Sequence, residues 1–143
     1  MIRRLTPRWR ARATIAALAL PPLVQLVSIE RIAAWIHRSN ARARPDDSVD
    51  DEALAEWVDR VLNHLPPPWH RTCLRRAVVL QYLLQRTGRP AELRIGVRRD
   101  PSGTLLAHAW LTRHDQPCLE PGIDQASSYQ VITTLPSRSE QPH

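Results

Sequence analysis

Ala91-Glu92-Leu93-Arg94-Ile95-Gly96-Val97-Arg98 alternates apolar and polar positions, the period of a strand with one buried face. Asp100-Pro101-Ser102-Gly103 reads as a turn, and residues 104–112 as a second strand centred on His108. Arg113-His114-Asp115 then forms a hairpin tip, and residues 116–120 a third strand. Pro121-Gly122 breaks the chain, and residues 129–134 add a short edge strand. Upstream, the period becomes helical. Leu54, Trp57, Val58, Val61, Leu62 and Leu65 recur at helical spacing behind Asp50 as cap, with Asp51 and Glu52 in the first turn and Pro66-Pro67-Pro68 as the stop. A further helix opens at Thr72 or Cys73, runs through Ala77, Leu80, Leu83 and Leu84, and ends at Gly88. Helices first and antiparallel strands after is the order of an α+β domain.

The N-terminal part has a different composition. Residues 1–44 hold nine arginines against one glutamate, a net +8, whereas residues 45–143 hold eleven arginines against thirteen acids, a net −2. A basic segment on a slightly acidic body argues against nucleic acid as partner, because the positive face would then belong to the folded core. The uncharged run 13–29 is short for a membrane span, contains Pro21-Pro22, Gln25 and Ser28, and lacks a small-residue cleavage site. It reads instead as two helices, roughly 9–20 and 22–38, with Pro22 opening the second. Leu23, Leu26, Val27, Ile29, Ile32, Ala33 and Ile36 would form the second helix's apolar stripe, packed on the body in preference to a membrane. The expected organisation is a basic helical segment 1–44, a body 45–136 and a frayed tail 137–143. All twenty basic residues are arginine and none is lysine, a compositional bias more than a functional sign. Two cysteines make no disulfide framework, which fits a reducing, cytoplasmic setting.

Cys73 opens a helix, where free backbone N–H groups and the positive dipole end favour thiolate over thiol. Against this stands the ordinary role of a buried Cys as a small hydrophobe, the reading given to Cys118. His108 interrupts the apolar run Leu105-Leu106-Ala107-His108-Ala109-Trp110-Leu111. With a three-residue loop at Arg113–Asp115, Glu120 would stand directly opposite His108 and hold its imidazole in one tautomer. Cys73, His108 and Glu120 then form an activated-thiol triad. Asp115, at the hairpin tip, and Asp124, after Pro121-Gly122, remain alternatives for the acidic member. No histidine shares metal-ligand spacing with either cysteine and no glycine loop cradles a phosphate, so neither zinc nor another cofactor is expected.

Cys73-Leu74-Arg75-Arg76-Ala77, Leu83-Leu84-Gln85-Arg86-Thr87-Gly88, Leu93-Arg94-Ile95-Gly96-Val97 and Ala107-His108-Ala109-Trp110-Leu111, in this order and spacing, resemble the lasso-peptide biosynthesis B2 proteins, transglutaminase-like leader peptidases. The likeness spans about residues 50–135. It implies a papain/transglutaminase-like fold and removal of the leader from a ribosomally made lasso precursor peptide. Cys73 would be the nucleophile, His108 general base and acid, and Glu120 the acidic third member, a Glu where Asp can stand. It further implies a separate leader-binding B1-type protein and a lasso cyclase as partners, since only two helices precede residue 50 where a fused leader-binding domain would stand. The competing reading is a non-catalytic scaffold of a peptide-modifying complex, with Cys73 in the core and the basic segment docking a partner or a membrane.

Overall fold

A computed structural model describes residues 5–39, 49–65, 73–114, 116–119 and 129–135. Four helices come first: α1 (Pro7–Leu26), α2 (Ile29–Ser39), α3 (Asp51–Asn63) and α4 (Cys73–Arg86). They precede β1 (Glu92–Arg99), β2 (Leu105–Arg113), β3 (Gln116–Cys118) and β4 (Gln130–Leu135), in an antiparallel sheet of order β3-β2-β1-β4. The α+β expectation holds. β4 returns beside β1, so only β3, β2 and β1 form a meander.

Local signals explain most boundaries. Asp50 caps α3 by accepting the Ala53 N–H at 3.3 Å. Gly88, at φ 79°, closes α4, and the Arg89 N–H reaches back to the Leu84 carbonyl at 3.2 Å. The Asp100 carboxylate accepts the Ser102 and Thr104 N–H groups at 3.0 and 2.9 Å and builds the β1–β2 turn. α3 ends at Asn63, with His64 at its cap, so it stops ahead of the three prolines, which lie outside the described residues.

α1 differs from expectation. It is one helix of 20 residues that runs through Pro21 and Pro22, and the break falls at Val27-Ser28. Thr6 caps it by accepting the Trp9 N–H at 3.4 Å, and Pro7 opens it. An interior proline costs about 3 kcal/mol. Burial of Trp9, Ala13, Ala16, Ala17 and Leu20 in the core offsets that cost. Ser28 instead caps α2, accepting the Arg31 N–H at 3.4 Å. The expected apolar stripe is therefore split: Ile32, Ala33 and Ile36 are buried on α2, while Leu23 and Leu26 stay exposed on α1.

α4 is the central helix, packed against the other three helices and against β1 and β2. Its Val78, Val79, Leu80, Leu83 and Leu84 share one core with α1, α2, α3 and the sheet residues Leu93, Ala109, Leu111 and Leu135. Buried Gln81 ties it to the sheet, donating to the carbonyls of Leu135 and Ala91 at 2.9 and 3.3 Å. The Trp57 indole of α3 donates to Thr14 on α1 at 3.1 Å. Among the described residues, no helix is long and apolar enough to cross a membrane.

Candidate active site

Cys73 is the first residue of α4 and is exposed, while the helix behind it is buried. At that end the backbone N–H groups have no intrahelical acceptor. The first turn holds Arg75 and Arg76 and no acidic residue, the reverse of the usual arrangement. A helix start whose N–H groups lack intrahelical acceptors suits negative charge developing beside the thiol. Cys118 is half-buried in β3, packed against the core, as expected for strand packing.

Arg76 carries information the sequence reading missed. It is buried, its Nε donates to Asp59 Oδ1 on α3 at 2.6 Å, and its Nη2 donates to the Leu119 carbonyl at 2.6 Å. A charged residue at an inward-facing position of an apolar helix was the available signal.

His108 pairs with Gly96 across the β1–β2 ladder. Side chains alternate along a strand, so Ala109 and Leu111 face the helices while His108 and Trp110 occupy the opposite face. There the imidazole is held between two rings, Trp110 at 5.7 Å and Tyr129 at 5.3 Å between centroids. The Arg98 guanidinium lies 5.0 Å over Tyr129. Gly96 permits this closeness: a Cβ there would stand 2.8 Å from Trp110 Cη2, 2.9 Å from Tyr129 Cβ and 3.0 Å from the Gln130 carbonyl. The β1–β4 register also shifts between Ile95 and Gly96, the irregularity that a strand glycine often marks. Trp110 and Tyr129 were not singled out from sequence, because their meeting with His108 is long-range.

The hairpin register corrects the argument for Glu120. Arg113 pairs with Gln116, Thr112 with Pro117 and Leu111 with Cys118, so the connection is two residues long and His114 takes φ 55°. β3 stops at Cys118, and Leu119 turns away at φ 55°. Continued in this register, position 108 would face 121 and not 120, and a slip of one residue exchanges the two faces. The three-residue loop that would set Glu120 opposite His108 is thus not the connection of this hairpin. Glu120, Asp115 and Asp124 all lie outside the described residues.

The structure thus brings the elements carrying Cys73 and His108 into contact, α4 against β2, without joining the two side chains by a hydrogen bond among the described residues. No group of three or more His, Cys, Asp or Glu that could hold a metal occurs among them. A helix-first chain, a cysteine opening the central helix and a histidine on the sheet behind it are the features to set beside known proteins. Neither the curated proteins nor the solved structures yield a match. Residues 16–134 match the transglutaminase-like superfamily, a span that takes in α4 and all of the sheet but Leu135, and the chain belongs to that superfamily.

Proposed function

We propose that this chain is a cysteine peptidase that releases the leader from a ribosomally made lasso precursor peptide. One observation carries the peptidase part: in a transglutaminase-like chain, an exposed cysteine opens the buried central helix, whose first turn contains no acidic residue. The motif blocks around Cys73 and His108, with their likeness to lasso leader peptidases, supply the substrate class.

In this mechanism Cys73 Sγ attacks the scissile carbonyl, and the α4 N–H groups receive the developing oxyanion. His108 takes the thiol proton and passes it to the leaving amine, leaving a thioester that water hydrolyses. β3 pairs with residues 111–113 of β2, so on the β3-side margin the described ladder ends short of His108. The imidazole leaves its stack on Trp110 and Tyr129 over that margin to reach the thiol. The likeness to lasso leader peptidases makes Glu120 the acidic third member that orients it, and Glu120→Gln is expected to slow cleavage.

The leader-binding protein docks on the groove between α1, α2 and α4, about 340 Å³, floored by Leu20 and flanked by Ile15, Leu23 and the stacked pair Trp35–Tyr82. Holding the leader there raises the effective concentration of the scissile bond at Cys73. Reconstitution with precursor and leader-binding protein tests this: leader release is expected to be slow without the partner and at least about tenfold faster with it. Equal rates with and without the partner would refute the docking role.

A non-catalytic scaffold is the second reading, and the separation of Cys73 and His108 onto different faces favours it. It requires that precursor remain uncut in the same reconstitution.

A further inference from the structure

We propose that the groove between α1, α2 and α4 binds an acidic amphipathic helix presented by a partner protein. The inference deepens the docking role proposed above and rests on it for the partner's identity alone. α1 is apolar on both sides. Trp9, Ala13, Ala17 and Leu20 enter the core, whereas Ile15, Leu18, Leu23 and Leu26 lie outward, Ile15 at 65% and Leu26 at 82% exposure. A helix apolar all round belongs in an interior, so the outward half of α1 is the kind of surface that marks an interaction site. Trp35 of α2 stands across the groove from it, 47% exposed and stacked on Tyr82 of α4, the rings parallel to within 1° at 5.9 Å.

Shape selects a helix as the occupant. The α1 wall is Arg12, Ile15, Ala16, Ala19, Leu20 and Leu23, a row that climbs three turns, about 16 Å at the rise of an α-helix. Each wall of the groove is itself a helix, whose backbone groups pair within the helix. An extended strand laid there would bury N–H and C=O groups with no partner, whereas a helix satisfies its own. Apolar side chains at i, i+3, i+4 and i+7 match the length of the row. Charge sets the rest. The lining includes Arg12 and Arg86 and no acidic residue, and α1 and α2 together carry Arg8, Arg10, Arg12, Arg31 and Arg38 against Glu30. Arg12 keeps its charge while it stacks on Trp9 at 5.0 Å. A second copy of the chain would bring this positive surface against itself, and a basic helix would be repelled in the same way. A bilayer fits the charge but not the shape, since it has no side chain to fill a recess of about 340 Å³. Carboxylates flanking an apolar stripe satisfy both.

Calorimetric titration of the full chain with defined peptides tests this. The probe is a synthetic helix with leucines at i, i+3, i+4 and i+7, glutamates on both flanks and alanine elsewhere. It is expected to bind, and its counterpart with lysine for glutamate to bind at least about tenfold more weakly. A counterpart with serine for leucine should not bind. Arg86→Glu should weaken the glutamate peptide at least about fivefold and strengthen the lysine peptide. Arg99→Glu makes the same charge change at the end of β1, outside the groove, and should move neither by more than about twofold. Trp35→Ala removes an aromatic wall and should cost at least about tenfold in affinity, with Leu23→Ser in its place should that variant fail to fold. Equal binding of the glutamate and lysine peptides would overturn the proposal, as would equal losses from Arg86→Glu and Arg99→Glu. Absence of peptide binding is equally contrary, whether the chain then associates with itself in sedimentation or with vesicles of phosphatidylglycerol and phosphatidylcholine. The docking role fails separately. Glutamate-peptide binding lost in Trp35→Ala, together with leader release that the leader-binding protein leaves unchanged, removes the partner's identity and keeps the helix site.

Discussion

At the C-terminal end of α4, Arg89 and Arg113 converge on Asp51 at 2.8 and 3.1 Å, and Arg113 also donates to the Arg89 carbonyl at 2.7 Å. At the N-terminal end, Arg76 divides its guanidinium between Asp59 and the Leu119 carbonyl. Both ends are fastened by arginine, but against opposite poles of the same dipole. Cations at a helix C-terminus complement its field, whereas Arg75 and Arg76 in the first turn oppose it. The far end is consistent at every level and stays closed. The near end violates a local rule and leaves an exposed thiol beside the violation, the pattern expected where function overrides stability.

The comparison can be broken from its middle outward. Leu80 is fully buried between the two ends, and Leu80→Ala should lower unfolding free energy by about 2–5 kcal/mol in urea titration. Gly96→Ala comes next, because Trp110, Tyr129 and the Gln130 backbone leave no space for a Cβ. About 1–3 kcal/mol of stability should be lost in the same urea titration. Asp51→Ala leaves two guanidinium groups without their carboxylate at the far end only. Here about 1–2 kcal/mol should go while kcat stays at the wild-type value, and a fall in kcat would erase the distinction between the ends.

The smallest effect belongs to Asp100, in an exposed turn remote from both. The Ser102 hydroxyl, with backbone N–H groups of the turn, holds its carboxyl below the usual carboxylate range. A lowered folded value means the contribution is present above the unfolded value and lost as pH falls through the folded one. Asp100→Asn should therefore lower the melting temperature slightly at neutral pH, with the gap closing in acid.

Signals carried by neighbouring residues were legible in the sequence: Asp50 as cap, Cys73 as helix start, Gly88 as stop and Asp100 as turn. Each is decided within a few residues by backbone hydrogen bonds. The passage of α1 through Pro21-Pro22 was not legible, because its compensation is burial against α3 and α4. Nor was the hairpin register, which turns on His114 adopting a left-handed backbone at one position. Alternation placed His108 on a strand, yet which face met the helices depended on where α4 lay. For the site, the setting of Cys73 could be read directly. Trp110 and Tyr129 around His108, and the Arg76 bond to Leu119, are long-range meetings with no local mark.

The central claim, that the near end of α4 carries a nucleophile, is tested most directly by comparing the two cysteines. Cys73→Ala and Cys118→Ala each remove a thiol from a folded chain, and only the first lies at the proposed reaction centre. With precursor and leader-binding protein present, the account predicts no leader release by Cys73→Ala and a near wild-type rate for Cys118→Ala. Wild-type cleavage by Cys73→Ala would contradict it.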